Sequence, residues 1–393
     1  MPTLTYPGVG RRIAYQRRLA RMTQQQLADA ADASLGAVRK IERGERNPSE
    51  DMLEAFADAM GVDAAVLRYD AEPTRTSVHA ALPALSAVIA TYDLPEDGPA
   101  RPLVELRAAV TEAARWRLAA QYTRIARKVP DLLAELARAY HVASGEERAQ
   151  LAGLLVQAYR SADAVAYKFG AHDLSARLVD LMRWATPDAE DSLLAASVAY
   201  VRTETFFAAH AHAAGLRALE HALDIAPAPG SAKHAAARGA LHMRAAVIAG
   251  RAANSSAAQL HLTEARALAD RVPEDVYYGT AFGPDSVRIH EVSVAVSLGQ
   301  DHVSRALAVA HEWKPSTELP AERRSGFYIE LARAQLWAGQ ADHSFESLKV
   351  ARRIAPQHTR EHPWVRHDAG VLRRLKRADA ESLTNFAEWC AAS

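Results

Sequence analysis

Thr23-Gln24-Gln25-Gln26-Leu27-Ala28 and, after a short gap, Ser34-Leu35-Gly36-Ala37-Val38-Arg39-Lys40-Ile41-Glu42-Arg43-Gly44 set the reading of this chain. The Thr23 hydroxyl can cap a helix while Gln26, three residues on, reaches back to the Thr23 backbone, the reciprocal pattern of a capping box. Leu27, Ala28 and Ala31 then face a core. After a turn at Asp32-Ala33, Ser34 is placed to cap the next helix, and Gly44 supplies a positive-φ stop just past Arg43. Val38 and Ile41, three apart, must point inward. Helical geometry leaves Leu35, Gly36, Arg39, Lys40 and Arg43 largely on the outer side.

The flanks complete a four-helix unit. Residues 10–20 read as a first helix, with Ile13 and Leu19 among its apolar positions and Arg11, Arg12, Arg17 and Arg18 outside. Asn47-Pro48 makes a turn, and Ser49 caps a fourth helix whose Glu50 and Asp51 suit its positive N-terminal dipole. Met52, Leu53, Phe56 and Met60 supply its apolar contacts before Gly61 ends it. Between Arg11 and Arg46 nine basic residues face four acidic ones, a modest phosphate-binding footprint.

The string Thr23-Gln24, Leu27-Ala28, Val38, Ile41, Glu42-Arg43-Gly44 and Asn47-Pro48-Ser49 makes residues 10–67 resemble the lambda-repressor-like, Cro/C1-type helix-turn-helix family, also called the xenobiotic-response-element family. The resemblance implies DNA binding through Thr23, Gln24, Ser34, Leu35, Gly36, Arg39, Lys40, Arg43 and Asn47. Gln24 would contact DNA from the start of helix two, residues 35, 36, 39 and 40 would face bases, and Arg43 and Asn47 would lie near phosphates. Arg17 and Glu42 match a salt bridge that braces helix one against helix three. One departure stands out: Gly36 can make no side-chain contact, and Leu35 offers only apolar contact, for example to a thymine methyl. Direct readout then rests on Gln24, Arg39 and Lys40.

The rest of the chain carries the opposite character. Across 393 residues, 47 basic and 47 acidic side chains cancel, so no whole-molecule field draws the protein to nucleic acid. Cys390 is the only cysteine, which rules out a disulfide framework or a cysteine-based zinc site within one chain. With no signal-peptide pattern at the start and no apolar run of ~20 residues, the expectation is a cytoplasmic protein without membrane contact. Residues 70–102, punctuated by Pro73, Pro83, Pro95 and Pro99, read as a linker with one helical candidate at 85–92. Residues 1–69 and 103–393 are the domains it joins.

Beyond Pro102 no strand is evident, and Ala-rich helical patterns alternate with brief breaks. Prolines at 187, 227, 273, 315 and 356 recur at intervals of 40, 46, 42 and 41 residues, a period that suggests stacked helical hairpins. The unit Tyr328, Leu331-Ala332, Gly339, Leu348, Ala351, Pro356 resembles a tetratricopeptide repeat, and Tyr159, Ala162, Gly170, Val179 and Pro187 repeat its spacing. The expected fold is all-α, a helix-turn-helix domain followed by a tetratricopeptide-like α-solenoid. Such an architecture resembles the RRNPP group of bacterial peptide-sensing regulators, which implies an array that senses a peptide, small molecule or protein partner; a homodimer is expected because this DNA-reading class binds two half-sites.

Sensors of that group commonly hold the peptide backbone with asparagines, whereas this repeat region has only Asn254, with Asn47 and Asn385 elsewhere. Arg202, Arg244, Arg288 and Arg333 are the other candidate groove residues, suited to an acidic group. No catalytic or metal site and no cofactor are expected. His210 and His212, two apart on a helix, would point about 200° apart and not share an ion, and Gly8-Val9-Gly10 lacks the strand and third glycine of a nucleotide loop. The partner implied is a double-stranded DNA operator. The alternative is a helical-repeat scaffold, or an antitoxin-like module, in which DNA binding is secondary.

Overall fold

The computed structural model describes residues 8–62, 64, 67, 77–375 and 380–392. The boundary expected at residue 69 lies outside these. The head consists of α1 (Val9–Leu19), α2 (Gln24–Ala30), α3 (Leu35–Glu42) and α4 (Glu50–Met60). Ile13, Leu27, Val38, Ile41, Leu53, Phe56 and Met60 are fully buried in its own core. The caps form as the sequence dictates. Gln26 N–H donates to Thr23 Oγ1 (3.1 Å) and Thr23 N–H to Gln26 Oε1 (2.9 Å), while Ser34 and Ser49 accept from Ala37 and Met52. Gly44 (φ 77°) and Gly61 (φ 65°) take the left-handed conformation past α3 and α4.

The linker helix is longer than expected. It is α5 (Ser77–Ala90), and Pro83 lies inside it. A mid-helix proline costs ~3 kcal/mol, but Val78, Leu85 and Ile89 are buried, each contributing ~1.5–3 kcal/mol. Burial wins. The helix packs into the core of the array.

The array is a series of helical hairpins: α6 (Leu103–Leu118) with α7 (Tyr122–Val142), α8 (Gly145–Lys168) with α9 (His172–Ala189), α10 (Ser192–Ala208) with α11 (His212–Ile225), and α12 (Ala232–Arg251) with α13 (Ser255–Ala269). After an insertion come α14 (Pro284–Leu298) with α15 (Val303–Glu312), α16 (Ala321–Trp337) with α17 (Ala341–Ile354), then α18 (Pro356–Glu361), α19 (Pro363–Leu375) and α20 (Ala380–Trp389). The hairpin turns pass through one positive-φ residue every 40–50 positions: Ala120, Gly170, His210, Ala253, Gly299 and Gly339. The expected fold class holds: helix-turn-helix head, then α-solenoid.

The insertion corrects the expectation that no strand follows Pro102. Strands β1 (Asp275–Tyr277) and β2 (Thr280–Phe282) pair antiparallel, with Tyr277 opposite Thr280. Tyr278 (φ 49°) and Gly279 (φ 74°) both have positive φ, the two-residue turn whose twist matches a hairpin. Phe282 drives into the array, where its ring fills the space a side chain at Gly239 would need.

Candidate nucleic-acid interface and interior cavity

On the head, α3 presents Arg39, Lys40 and Arg43 exposed, with Asn47 exposed beyond it. The helix is held by Arg17, which grips Glu42 in two parallel bonds (Nε–Oε1 2.5 Å, Nη2–Oε2 2.9 Å) and donates a third to Met22 O. Burial acts to raise the Glu42 carboxyl, but hydrogen bonds from Arg17 and Gln24 and the charges of Arg17 and Arg18 outweigh it, so its pKa lies below the ordinary value. Five residues of the implied reading set have other partners. The Gln24 amide donates to Glu42 Oε2 at 2.7 Å, and Leu35 is half-buried against the head core. Thr23 and Ser34 accept backbone caps, and Arg43 pairs with Glu45 at 3.2 Å. Gly36 is open: a Cβ there would meet nothing within 4 Å. We expect Gly36→Gln to keep the fold and gain helix propensity of ~0.5–1 kcal/mol. A loss of thermal stability would contradict that.

The head is docked, not loosely tethered. Gln357 Nε2 donates to Asp58 Oδ1 (2.6 Å), Arg360 Nη1 to Gly61 O (3.3 Å) and Trp389 Nε1 to the same carbonyl (3.1 Å). Arg127 pairs with Glu54, and Arg21 donates to Ser382 Oγ at 2.5 Å. These contacts use α4 and the turn after α1, so the α3 face remains uncovered.

Inside the array lies a cavity of about 570 Å³. The first helix of every hairpin supplies it with ionisable side chains: Arg117 from α6, Asp163 and Lys168 from α8, Tyr200 and Glu204 from α10, Arg244 from α12, His290 from α14, Glu322 and Glu330 from α16, with His358 from α18. Lys168 Nζ lies 3.0 Å from Glu322 Oε1, and Arg244 Nη2 donates to Glu204 at 3.4 Å. Burial acts to raise Glu322, but the charges of Lys168, His358, Arg117 and Arg323 overcome it and hold its pKa at about 2. Burial raises Glu330 to about 7 and drops His358 to about 3, leaving that imidazole neutral.

Tyr200 is 4 % exposed and accepts from Arg323 Nη2 (2.7 Å), with the Arg244 guanidinium 4.3 Å from its ring centroid. Burial acts to raise its pKa, but the Arg244 and Arg323 charges, the Arg323 hydrogen bond and the Arg160 charge bring it down to about 8. The phenolate's stabilisation is therefore complete above the unfolded value near ~10 and lost as pH falls through about 8. Ultraviolet difference titration should show one tyrosine ionising at about pH 8, absent in Tyr200→Phe. A single step near ~10 for every tyrosine would refute this.

Of the groove candidates, Arg244 lines the cavity. The others are spent elsewhere. Arg333 makes a bidentate pair with Asp368 (2.8 and 3.1 Å), Asn254 caps α13, Arg288 is exposed beside Trp313, and Arg202 lies over Phe206. His210 occupies the turn at φ 53° and His212 opens α11, so the two are not separated by helical phase as expected; their rings touch edge-to-face at 6.0 Å. Cys390 is buried, which raises its thiol to about 11 and makes it a poor nucleophile.

Residues 13–67 match the family described as Helix-turn-helix, of the Cro/C1 type. The head is thus a DNA-binding domain of the kind found in transcription regulators. Comparison with curated proteins and with solved structures finds no match to the chain. Among the described residues no helix is long and apolar enough to cross a membrane.

Proposed function

We propose that this chain is a sequence-specific transcriptional regulator without enzymatic activity, acting as a homodimer whose tetratricopeptide-like array senses an effector. The observation that carries it is the uncovered Arg39–Lys40 face on a helix locked by Arg17 and Glu42. Arg and Lys at these positions suit guanine edges, and two copies would read half-sites about 34 Å apart. Residues 1–69 read DNA, 70–102 attach the head, and 103–393 sense and dimerise.

The short helix α18 supports the sensing half of the reading. His358 turns to the cavity, hydrogen-bonded to Ser325 Oγ (2.7 Å) and 3.2 Å from Lys168 Nζ. Its neighbour Gln357 holds Asp58 of the head and also accepts from Thr123 N–H (3.1 Å). An effector that prefers one placement of α18 would therefore shift the head, by no more than its differential affinity for the two placements.

In-vitro selection of bound DNA with the full-length protein, with and without cell extract, tests operator, half-site spacing and effector dependence together. No enriched sequence in either arm would refute the reading. Lys40→Ala should relax preference at the base it reads, at ~1–3 kcal/mol per lost contact. Unchanged affinity and preference in a competition assay would remove Lys40 from the reading set.

A further inference from the structure

Three guanidiniums face the cavity without a direct ion pair, and Glu322 acts on Arg117 and Arg323 through its charge alone. Arg160 is 8 % exposed and donates only to neutral oxygens, Ser197 Oγ (2.7 Å), Tyr278 O (2.5 Å) and Thr280 Oγ1 (2.6 Å). Arg117, 7 % exposed, donates to Gly279 O (2.7 Å), and its Nε has no partner. Arg323 donates to Tyr200 Oη and lies 3.4 Å from His290 Nε2. Among the described residues none of the three has a carboxylate within 4.0 Å. At the rim, Arg251 donates to Ser297 Oγ, 4.6 Å from the Trp364 ring centroid and 5.9 Å from that of Phe207.

Unpaired cations in one water-poor enclosure repel each other and forgo their hydration, an arrangement that an anion relieves. The planar fork of Arg matches carboxylate and phosphate oxygens two at a time. The cavity's size, about 570 Å³, is that of a small-molecule site, and Phe207, Ile289 and Val247 give it apolar walls. Desolvation lowers Arg160 to about 9, in keeping with a cation short of a counter-charge.

We infer that this cavity binds a small organic anion, a carboxylate or phosphate ester on an apolar body, with Arg117, Arg160 and Arg323 around its charged end and Arg251 at the mouth. This names the ligand class of the sensing site proposed above, and only its regulatory meaning rests on that reading. The β1–β2 turn is part of the site, because Arg117 and Arg160 hold its Tyr278 and Gly279 carbonyls while facing the cavity.

Isothermal titration calorimetry on the full chain tests this with 2-naphthoate, 1-naphthyl phosphate and the uncharged 2-naphthamide. At least one anion should bind one site per chain about tenfold more tightly than the amide, the order expected for a charge-assisted hydrogen bond. The tighter of the two tells carboxylate from phosphate. Arg323→Met and Arg251→Met should each weaken the anion and leave the amide unchanged. Equal binding of anion and amide, no binding of either anion, or unchanged affinity in both variants overturns the proposal. Should circular dichroism show Arg323→Met unfolded, Arg251→Met decides alone, since it removes one side-chain hydrogen bond, to Ser297. The readout involves no DNA, so a failed operator selection would sink the regulator reading and leave this result standing.

Discussion

Glu42→Ala should abolish DNA binding by the full-length protein while leaving the array folded. Glu42 accepts two bonds from Arg17 and one from Gln24, with side-chain exposures of 11 % for Arg17 and 6 % for Glu42. Removing one partner of such a pair strands the other, at ~3–5 kcal/mol. A head of this size, at ~0.05–0.15 kcal/mol per residue, has roughly 3–8 kcal/mol in all. The loss consumes most of it, and α3 loses its bracket to α1. Hydrogen exchange would show the α1–α4 amides unprotected while those of α8–α17 stay slow, and gel-shift binding would vanish. Retained protection in the head would mean that the brace carries less than its geometry implies. Because the Glu42 pKa is depressed, its contribution is complete above the unfolded carboxylate value of ~4.3 and falls only as pH drops through the lower folded value. Glu42 should therefore add no pH dependence to the head's stability between about pH 5 and 7, above the unfolded carboxylate value.

How much of this was legible depends on sequence distance. Caps at Thr23, Ser34 and Ser49 are made within three residues, so spacing alone reveals them. The Arg17–Glu42 brace spans 25 positions and was reachable through family resemblance. Repeat periodicity exposed the hairpins, since the prolines at 187, 227, 273, 315 and 356 fall at or just past the ends of their second helices. The cavity was hidden. It forms only when the first helices of successive hairpins converge, and each contributes charged residues that alone look like solvated surface. A signal did exist in Tyr159-Arg160-Ser161-Ala162-Asp163, where an Arg and an Asp interrupt a stretch of otherwise uncharged residues. Arg244 was found and Arg160 was not, because nothing local separates a groove arginine from a surface one. Tyr277-Tyr278-Gly279-Thr280 also carried a legible hairpin cue, but three-residue strands are too short for periodicity to register. Head docking through Gln357 and Trp389 joins residues about 300 positions apart and leaves no local trace.

That docking yields the second large effect. In Gln357→Ala/Trp389→Ala the head should come loose from the array yet remain folded. The pair removes the Asp58 and Gly61 hydrogen bonds, each ~0.5–1.5 kcal/mol, together with a half-buried indole that Arg352 stacks on at 4.1 Å. The indole adds ~1.5–3 kcal/mol on the scale of a large buried side chain. Little but the Arg360–Gly61, Arg127–Glu54 and Arg21–Ser382 contacts would then hold the head, and partly exposed contacts of this kind contribute ~0–1 kcal/mol each. A docked head fixes the angle between two reading helices in a dimer, so wild-type protein should select operators with one half-site spacing. The double variant should select several spacings, at similar affinity for a single half-site because α3 and its brace are untouched. Hydrogen exchange at the α18 amides should accelerate in parallel. If the spacing stays sharp and that exchange stays slow, orientation is set elsewhere and α18 is not the route from cavity to head. If single-half-site affinity collapses as well, the array stabilises the head's fold and does more than aim it.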